Sequence, residues 1–189
     1  MFTPGALAPL RYRSVGRTDL RTLPLQPFQT VEVERFIGPI ERVRAEVRAG
    51  SGHVLTIAEA AGQPLGFFVT HPDLHDASCW WLGYLAVAPI SRGRGLGRAM
   101  LASAIRRLAL IPGCGRMRLL IDPGNLVARR LYASFGFAAE GVSRLTGEFI
   151  LARDIDCGGM VSHGRRSMRR LSLRRRTAAE RSPARVCAV

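Results

Sequence analysis

Apolar residues recur along this chain with two periods, and the switches between them mark out the elements. Tyr12–Gly16 is a short, weakly patterned strand candidate. Thr18-Asp19 offers a helix N-cap, but Pro24 and Pro27 keep any helix there short. Behind Pro39, a favoured first-turn residue, Ile40, Val43 and Val47 share one helical face, and Gly50 closes it. His53–Ala60 and Leu65–Thr70 alternate as strands around a Gly62-Gln63 turn, which predicts a hairpin. Cys79–Ala88 is almost continuously apolar, as a strand covered on both faces should be. Within it Trp80 and Trp81 point to opposite faces, and Gly83 marks a bulge or a close backbone approach.

A helix follows, with Leu96, Met100, Leu101, Ala104, Ile105 and Leu108 on one face and Pro112-Gly113 as its end. Arg116–Asp122 is the next strand, and Asn125 opens a short helix that stops at Gly136. Ala138–Leu145 and Glu148–Arg153 are two further strands, joined at Thr146-Gly147. With Leu25–Gly50 as a helical region, the order reads β-α-α-β-β-β-α-β-α-β-β, an α/β protein.

Composition changes this picture at one end. The chain has 189 residues and a net charge of +14. Residues 157–189 hold nine arginines against one acid, Glu180, so this tail alone carries +8. Its few apolar residues cannot build a core, so the expected organisation is a domain over 1–156 and a disordered arginine-rich tail over 157–189. A short helix on an anionic surface is the other reading of the tail. A nucleic-acid argument from whole-chain charge would mislead, because the body is far less basic. No apolar run is long enough to span a membrane, and the N-terminus is a poor signal peptide. Cys79, Cys114, Cys157 and Cys187 form no Cys-x-x-Cys pair, so neither a disulfide framework nor a zinc site is expected. A reducing cytoplasm is the simplest home.

The candidate chemistry lies at the turn after the central strand. Arg92, Gly93, Arg94, Gly95, Gly97 and Arg98 stand where that strand gives way to a helix. The first amides of a helix lack intrahelical partners and its dipole is positive there. Glycines let a phosphate approach those donors and arginines add charge, so the loop reads as a pyrophosphate cradle. A P-loop is excluded, since the chain contains no lysine. A dinucleotide fingerprint is excluded because its third glycine comes one residue early.

Arg92-x-x-Gly95-x-Gly97 resembles the acyl-CoA loop of the GNAT superfamily of N-acyltransferases. A second stretch resembles another hallmark of that family: Asn125-x-x-Ala128-x-x-Leu131-Tyr132-x-x-x-Gly136-Phe137. The resemblance covers roughly residues 10–155. It implies a mixed central sheet with a splay between the fourth and fifth strands, and helices on both faces. It implies acetyl-CoA as acyl donor, with no metal, and direct attack by a primary amine of a small molecule, peptide or protein. Carried over, Leu85 and Val87 supply backbone contacts to the pantetheine, and the loop from Arg92 to Arg98 holds the pyrophosphate. Asn125 bonds the pantetheine end, and Tyr132 donates a proton to the leaving sulfur, as a phenol that is protonated near neutrality can.

Many members carry a glutamate base six residues before the valine that corresponds to Val87. This chain has Trp81 there, so the base is open among Glu59, His75 and Asp76. The loop HPDLHDAS (71–78) brings His71, Asp73, His75 and Asp76 together, either as a solvated loop or as a functional rim. The competing class is a non-catalytic acyl-CoA-binding or interaction protein, tethered to nucleic acid by its tail. A homodimer and a weak anionic partner for the tail also stay open.

Overall fold

The structure is a computed structural model that describes residues 9–15, 25–50 and 52–156. The expected Thr18-Asp19 cap and the arginine-rich tail lie outside the described residues. Among the described residues, seven strands and four α-helices follow in the expected order: β1 (Arg11–Val15), α1 (Val31–Ile37), α2 (Ile40–Ala49), β2 (Val54–Ala60), β3 (Gln63–Pro72), β4 (Cys79–Val87), α3 (Leu96–Ala109), β5 (Arg116–Ile121), α4 (Leu126–Ala133), β6 (Ala138–Val142) and β7 (Phe149–Asp154). They form one mixed sheet, ordered β1-β2-β3-β4-β5-β7-β6.

Local chemistry sets the helix ends. Thr30 accepts a hydrogen bond from the Val33 amide and starts α1, a cap worth about 1 kcal/mol. Gly38, at a φ of +75°, ends α1. The first amide of α2, Ile40 N–H, donates to Glu34 Oε1 at 3.0 Å, so an otherwise orphaned donor is satisfied by the preceding helix. Helices α1 and α2 cover one face of the sheet, where Val33, Ile37, Val43 and Val47 pack with Leu55, Phe67, Val69, Tyr84 and Ala86. Helices α3 and α4 contribute Met100, Leu101, Leu108 and Tyr132 to a second core with Phe68, Leu85, Val87 and Leu119. Gly66 suits that packing: a β-carbon there would press on the Met100 sulfur and force that side chain to shift.

Two of the expected boundaries move. His71 and Pro72 belong to β3, not to the loop, because they continue the ladder opposite Trp81 and Trp80. Strand β6 stops at Val142, not Leu145. There the Ser143 amide donates to Glu148 O at 2.8 Å and the Gly147 amide to Ser143 O, which closes a turn.

The feature that positions everything else is the junction of β4 and β5. They run parallel and pair only through Cys79↔Arg116, Trp80↔Met117 and Trp81↔Arg118. Beyond Trp81, β4 stays paired with β3 as far as Val87, while β5 stays paired with β7 from Arg116 to Ile121. Each strand follows its other neighbour, so the sheet splays open between them. At the start of the opening β4 carries a bulge. Leu82 faces Thr70 and Tyr84 faces Val69, which leaves Gly83 as the extra residue.

Candidate active site

The splay leaves the β5-facing backbone groups of Leu82–Val87 without a partner strand among the described residues. Leu85 and Val87 send their side chains into the core on the α3–α4 side, so only their backbone is offered to the opening. Beyond Val87, a 3₁₀ turn at Pro89–Ser91 leads into the glycine-arginine loop.

That loop is built to expose amides. Gly93 and Gly95 have φ of +71° and +77°, a region costly for other residues, and a β-carbon on either would meet nothing within 4 Å. Gly95 is the N-cap of α3, and the first helical bond runs from the Ala99 amide to Gly95 O at 3.1 Å. The amides of Leu96, Gly97 and Arg98 therefore stand ahead of any intrahelical acceptor. No acid lies in this first turn.

The three arginines differ. Arg94 is exposed. Arg92 donates from Nη1 to Glu32 of α1 at 3.1 Å, while its Nε is buried without a hydrogen-bond partner. Arg98 turns towards α4, where it bonds Ser134 Oγ at 3.0 Å and lies 4.9 Å over the Phe135 ring. It ties α3 to α4 beside the loop.

Asn125 is buried, and its side-chain oxygen caps α4 by accepting from the Ala128 amide at 3.2 Å. Tyr132 is fully buried in the core it shares with Leu85 and Val87, edge-on to Phe137 at 5.5 Å between ring centroids. Ala128 and Tyr132 are the buried residues of α4, so the seven-residue spacing from Asn125 to Tyr132 does follow the helix's inner face.

The three residues considered as base lie away from the opening. Glu59, on β2, faces Arg13 at 3.7 Å. His75 and Asp76 are exposed on the turn before Cys79, at the closed end where β4 and β5 are paired. Asp76 accepts from the Ser78 amide and hydroxyl there, which holds its carboxyl below the usual range. Asp73 organises the same turn. Burial pushes its carboxyl up, but Trp81 Nε1–H at 2.6 Å and the amides of His75 and Asp76 outweigh that and hold it low.

What pattern reading missed is a row of side chains across the closed end of the splay. His71, Trp81 and Arg118 are register partners on β3, β4 and β5. His53 stacks on His71 with ring centroids 4.4 Å apart and 11° between planes. Tyr84 O–H donates to Glu46 of α2 on the same face. Arg118 is clamped by Glu140 at 2.6 and 2.8 Å, and Arg116 also donates to that carboxylate at 3.0 Å; together they hold the Glu140 carboxyl low. Assigning residues 71–78 to a loop hid the row. Period-two alternation carried two residues past Thr70 would have aligned His71 with Val69.

A separate concavity of about 820 Å³ lies between α4, β6 and β7, lined by Leu126, Phe137, Val142 and Phe149 among others. Neither the glycine-arginine loop nor Tyr132 lines it. Among the described residues no three His, Cys, Asp or Glu side chains are grouped to hold a metal ion, and no helix is long and apolar enough to cross a membrane.

A parallel pair of strands splayed over a glycine-rich helix start is the arrangement of an acyl-CoA N-acyltransferase fold. The profile of the Acetyltransferase (GNAT) family matches residues 18–137, and the chain belongs to that family. The chain is 35% identical over 90 residues to the spermine/spermidine N(1)-acetyltransferase of Bacillus subtilis (strain 168), a match covering 48% of this chain and 59% of that protein. It is 36% identical over 90 residues to the mycothiol acetyltransferase of Salinispora tropica, covering 47% of this chain and 29% of that one. These matches thus span less than two thirds of the relatives. Among solved structures, aminoglycoside acetyltransferase AAC(6')-Ib in complex with coenzyme A superposes with a TM-score of 0.66 at 20% identity, covering 79% of this chain and 96% of that one. The ribosomal-protein-S18-alanine N-acetyltransferase of Escherichia coli does so with a TM-score of 0.59 at 22% identity, covering 82% and 100%. At such identities the likeness is one of fold.

Proposed function

We propose that the chain is an N-acetyltransferase that moves the acetyl group of acetyl-CoA onto a primary amine. The observation that carries this reading is the three-pair β4–β5 ladder, whose open end faces the exposed amides of the glycine-arginine loop. Six residues of β4, Leu82 to Val87, separate the closed end from that loop, about 20 Å of strand. An extended pantetheine arm is of comparable length. The loop fits a pyrophosphate in two further respects: the space over Gly93 and Gly95 is open, and the buried Arg92 Nε lacks an acceptor. The names of the relatives, a spermine/spermidine N(1)-acetyltransferase, a mycothiol acetyltransferase and an aminoglycoside acetyltransferase, favour an amine as acceptor.

Each residue then has a defined task. The amides of Leu96, Gly97 and Arg98, with Arg92 and Arg94, hold the pyrophosphate. Backbone groups of Leu85 and Val87 hold the pantetheine amides as a neighbouring strand would, and Asn125 lies near its end. Acetyl-CoA, when bound, supplies an acyl carbon activated as a thioester. Tyr132 keeps a proton for the sulfur as the C–S bond breaks and the new C–N bond forms. We assign catalysis to residues 1–156 and no part in it to residues 157–189, which lie outside the described residues.

The test is amine-dependent release of free thiol from acetyl-CoA, over a panel of polyamines, aminoglycosides, amino acids and peptides. Release with at least one amine is expected. Coenzyme A binding without release for any amine would favour a non-catalytic acyl-CoA-binding protein instead.

A further inference from the structure

Trp81 stands at the last β4–β5 pair; an indole has no acceptor for an incoming amine, and its N–H is already given to Asp73. The structure offers another group in the same row. His71 is the register partner of Trp81 on β3, one strand across, at the last level before β4 and β5 part. Its neighbours on β3 alternate so that Phe67 and Val69 pack under α1 and α2, which puts His71 on that same face. The acyl end of a ligand anchored at the glycine-arginine loop and laid along β4 reaches this level.

The imidazole is prepared to accept one hydrogen bond. Nδ1 lies 3.1 Å from Pro72 O, and a carbonyl can only accept, so Nδ1 carries the proton and Nε2 the lone pair. Nε2 is buried and has no hydrogen-bond partner among the described residues. A buried acceptor left unsatisfied is costly, and native proteins keep such groups mainly where a ligand or water meets them. Burial, with the stacked His53 adding to it, pushes the His71 pKa down to about 4 against the opposing pull of Asp73 and Glu46. The ring therefore stays neutral near pH 7 and keeps its lone pair. The surroundings suit a cation. Asp73 and Glu46 both act on His71; Glu46 is itself paired with Arg42 at 2.8 Å, Asp73 has no arginine in contact among the described residues, and Arg118 is held by Glu140, which it shares with Arg116.

We propose that His71 is the residue that orients the acceptor amine, its Nε2 accepting a hydrogen bond from the incoming nitrogen, and that the acceptor is accordingly a cationic amine approaching from the α1–α2 face. This rests on the acetyl-transfer reading above. His71 serves as a fixed acceptor: the bound ammonium first gives one proton to solvent water, a remaining N–H donates to Nε2 while the freed lone pair attacks the thioester carbon, and the second proton leaves to water as the C–S bond breaks and Tyr132 protonates the sulfur. The loop residues His75 and Asp76 take no part, since they lie beyond the closed end.

Steady-state kinetics on the full chain test it, with the best amine from the panel and with both substrates varied. His71→Leu should raise KM for the amine, or lower kcat/KM for it, roughly 10- to 100-fold, the size of a lost hydrogen bond to a charged donor. KM for acetyl-CoA should stay within about twofold, since His71 is remote from the loop. His71→Gln retains an acceptor oxygen and should recover most of the loss. Unchanged amine kinetics in His71→Leu would overturn the proposal. Equal losses in both variants, tracking a lowered melting temperature, would overturn it too and make His71 a packing residue. If the wild-type chain binds coenzyme A but transfers to no amine, the acetyl-transfer reading fails first and the proposal falls with it; an active wild type beside an unaffected His71→Leu removes the proposal alone.

Discussion

Tyr132 and His71 sit on opposite faces of the sheet, one in the core under α3 and α4, the other on the face covered by α1 and α2. Their tasks predict different losses. Tyr132→Phe keeps the edge-on contact with Phe137 and removes only the hydroxyl. Turnover should fall on the order of 10²-fold with little change in acetyl-CoA affinity; full turnover with stability lost would make the ring purely structural. His71 makes a second prediction, about pH. Its folded pKa of about 4 lies below the ordinary 6.5, so the unfolded chain binds more protons between those values. Stability from this group is complete above pH 6.5 and is lost as pH falls towards 4, by about 3 kcal/mol at most. Asp73 and Glu140, held below the usual carboxylate range, lose their contributions only at still lower pH. Denaturant melts at pH 7 and 4.5 should show this decline in the wild type and a shallower one in His71→Gln; equal slopes would contradict it. Asn125, Tyr132 and the loop glycines were singled out through the two motifs that resemble the family's. His71 was not, since Pro72 reads as a strand stop although the ladder includes it.

At the scale of elements, the loop and α3 are one device: glycines strip side chains from the approach, and the helix start supplies the donors. Gly95→Asp tests the device against Gly62→Asp. Both glycines have a positive φ, +77° and +75°, and neither has anything within 4 Å of a β-carbon, so the backbone strain is matched. Calorimetry should find coenzyme A binding abolished in the first and kept in the second; binding retained in folded Gly95→Asp would put the ligand elsewhere. Periodicity gave α2, α3 and β2 to within a residue or two, because their apolar faces are buried and regular. It blurred α1, whose seven residues offer too few turns for a pattern; the Thr30 cap with Glu32 and Glu34 behind it was the better signal. It also overran β6, where all five residues are exposed and no alternation exists to follow.

For the whole molecule, the decisive feature is that two sub-sheets meet through only three residue pairs. Nothing local encodes it. The ladder between β4 and β5 spans residues nearly forty apart in sequence, and one strand's pattern does not say where its neighbour departs. The splay was expected only through the family resemblance. The tail over 157–189 lies outside the described residues, and its charge supports a prediction by itself. A chain ending at residue 156 should keep the melting temperature and the coenzyme A affinity of the full protein, whereas a large drop in melting temperature would make the tail part of the fold.

The central claim is group transfer, and it is most directly tested by following the acetyl group itself. The full-length protein, acetyl-CoA labelled in the acetyl group, and the amine panel are incubated together and the amines analysed by mass spectrometry. The account predicts label covalently attached to a primary amine, with one free coenzyme A thiol per labelled product, and both lost together in Gly95→Asp. Tight coenzyme A binding with no labelled amine, or label transfer that survives in folded Gly95→Asp, would contradict it.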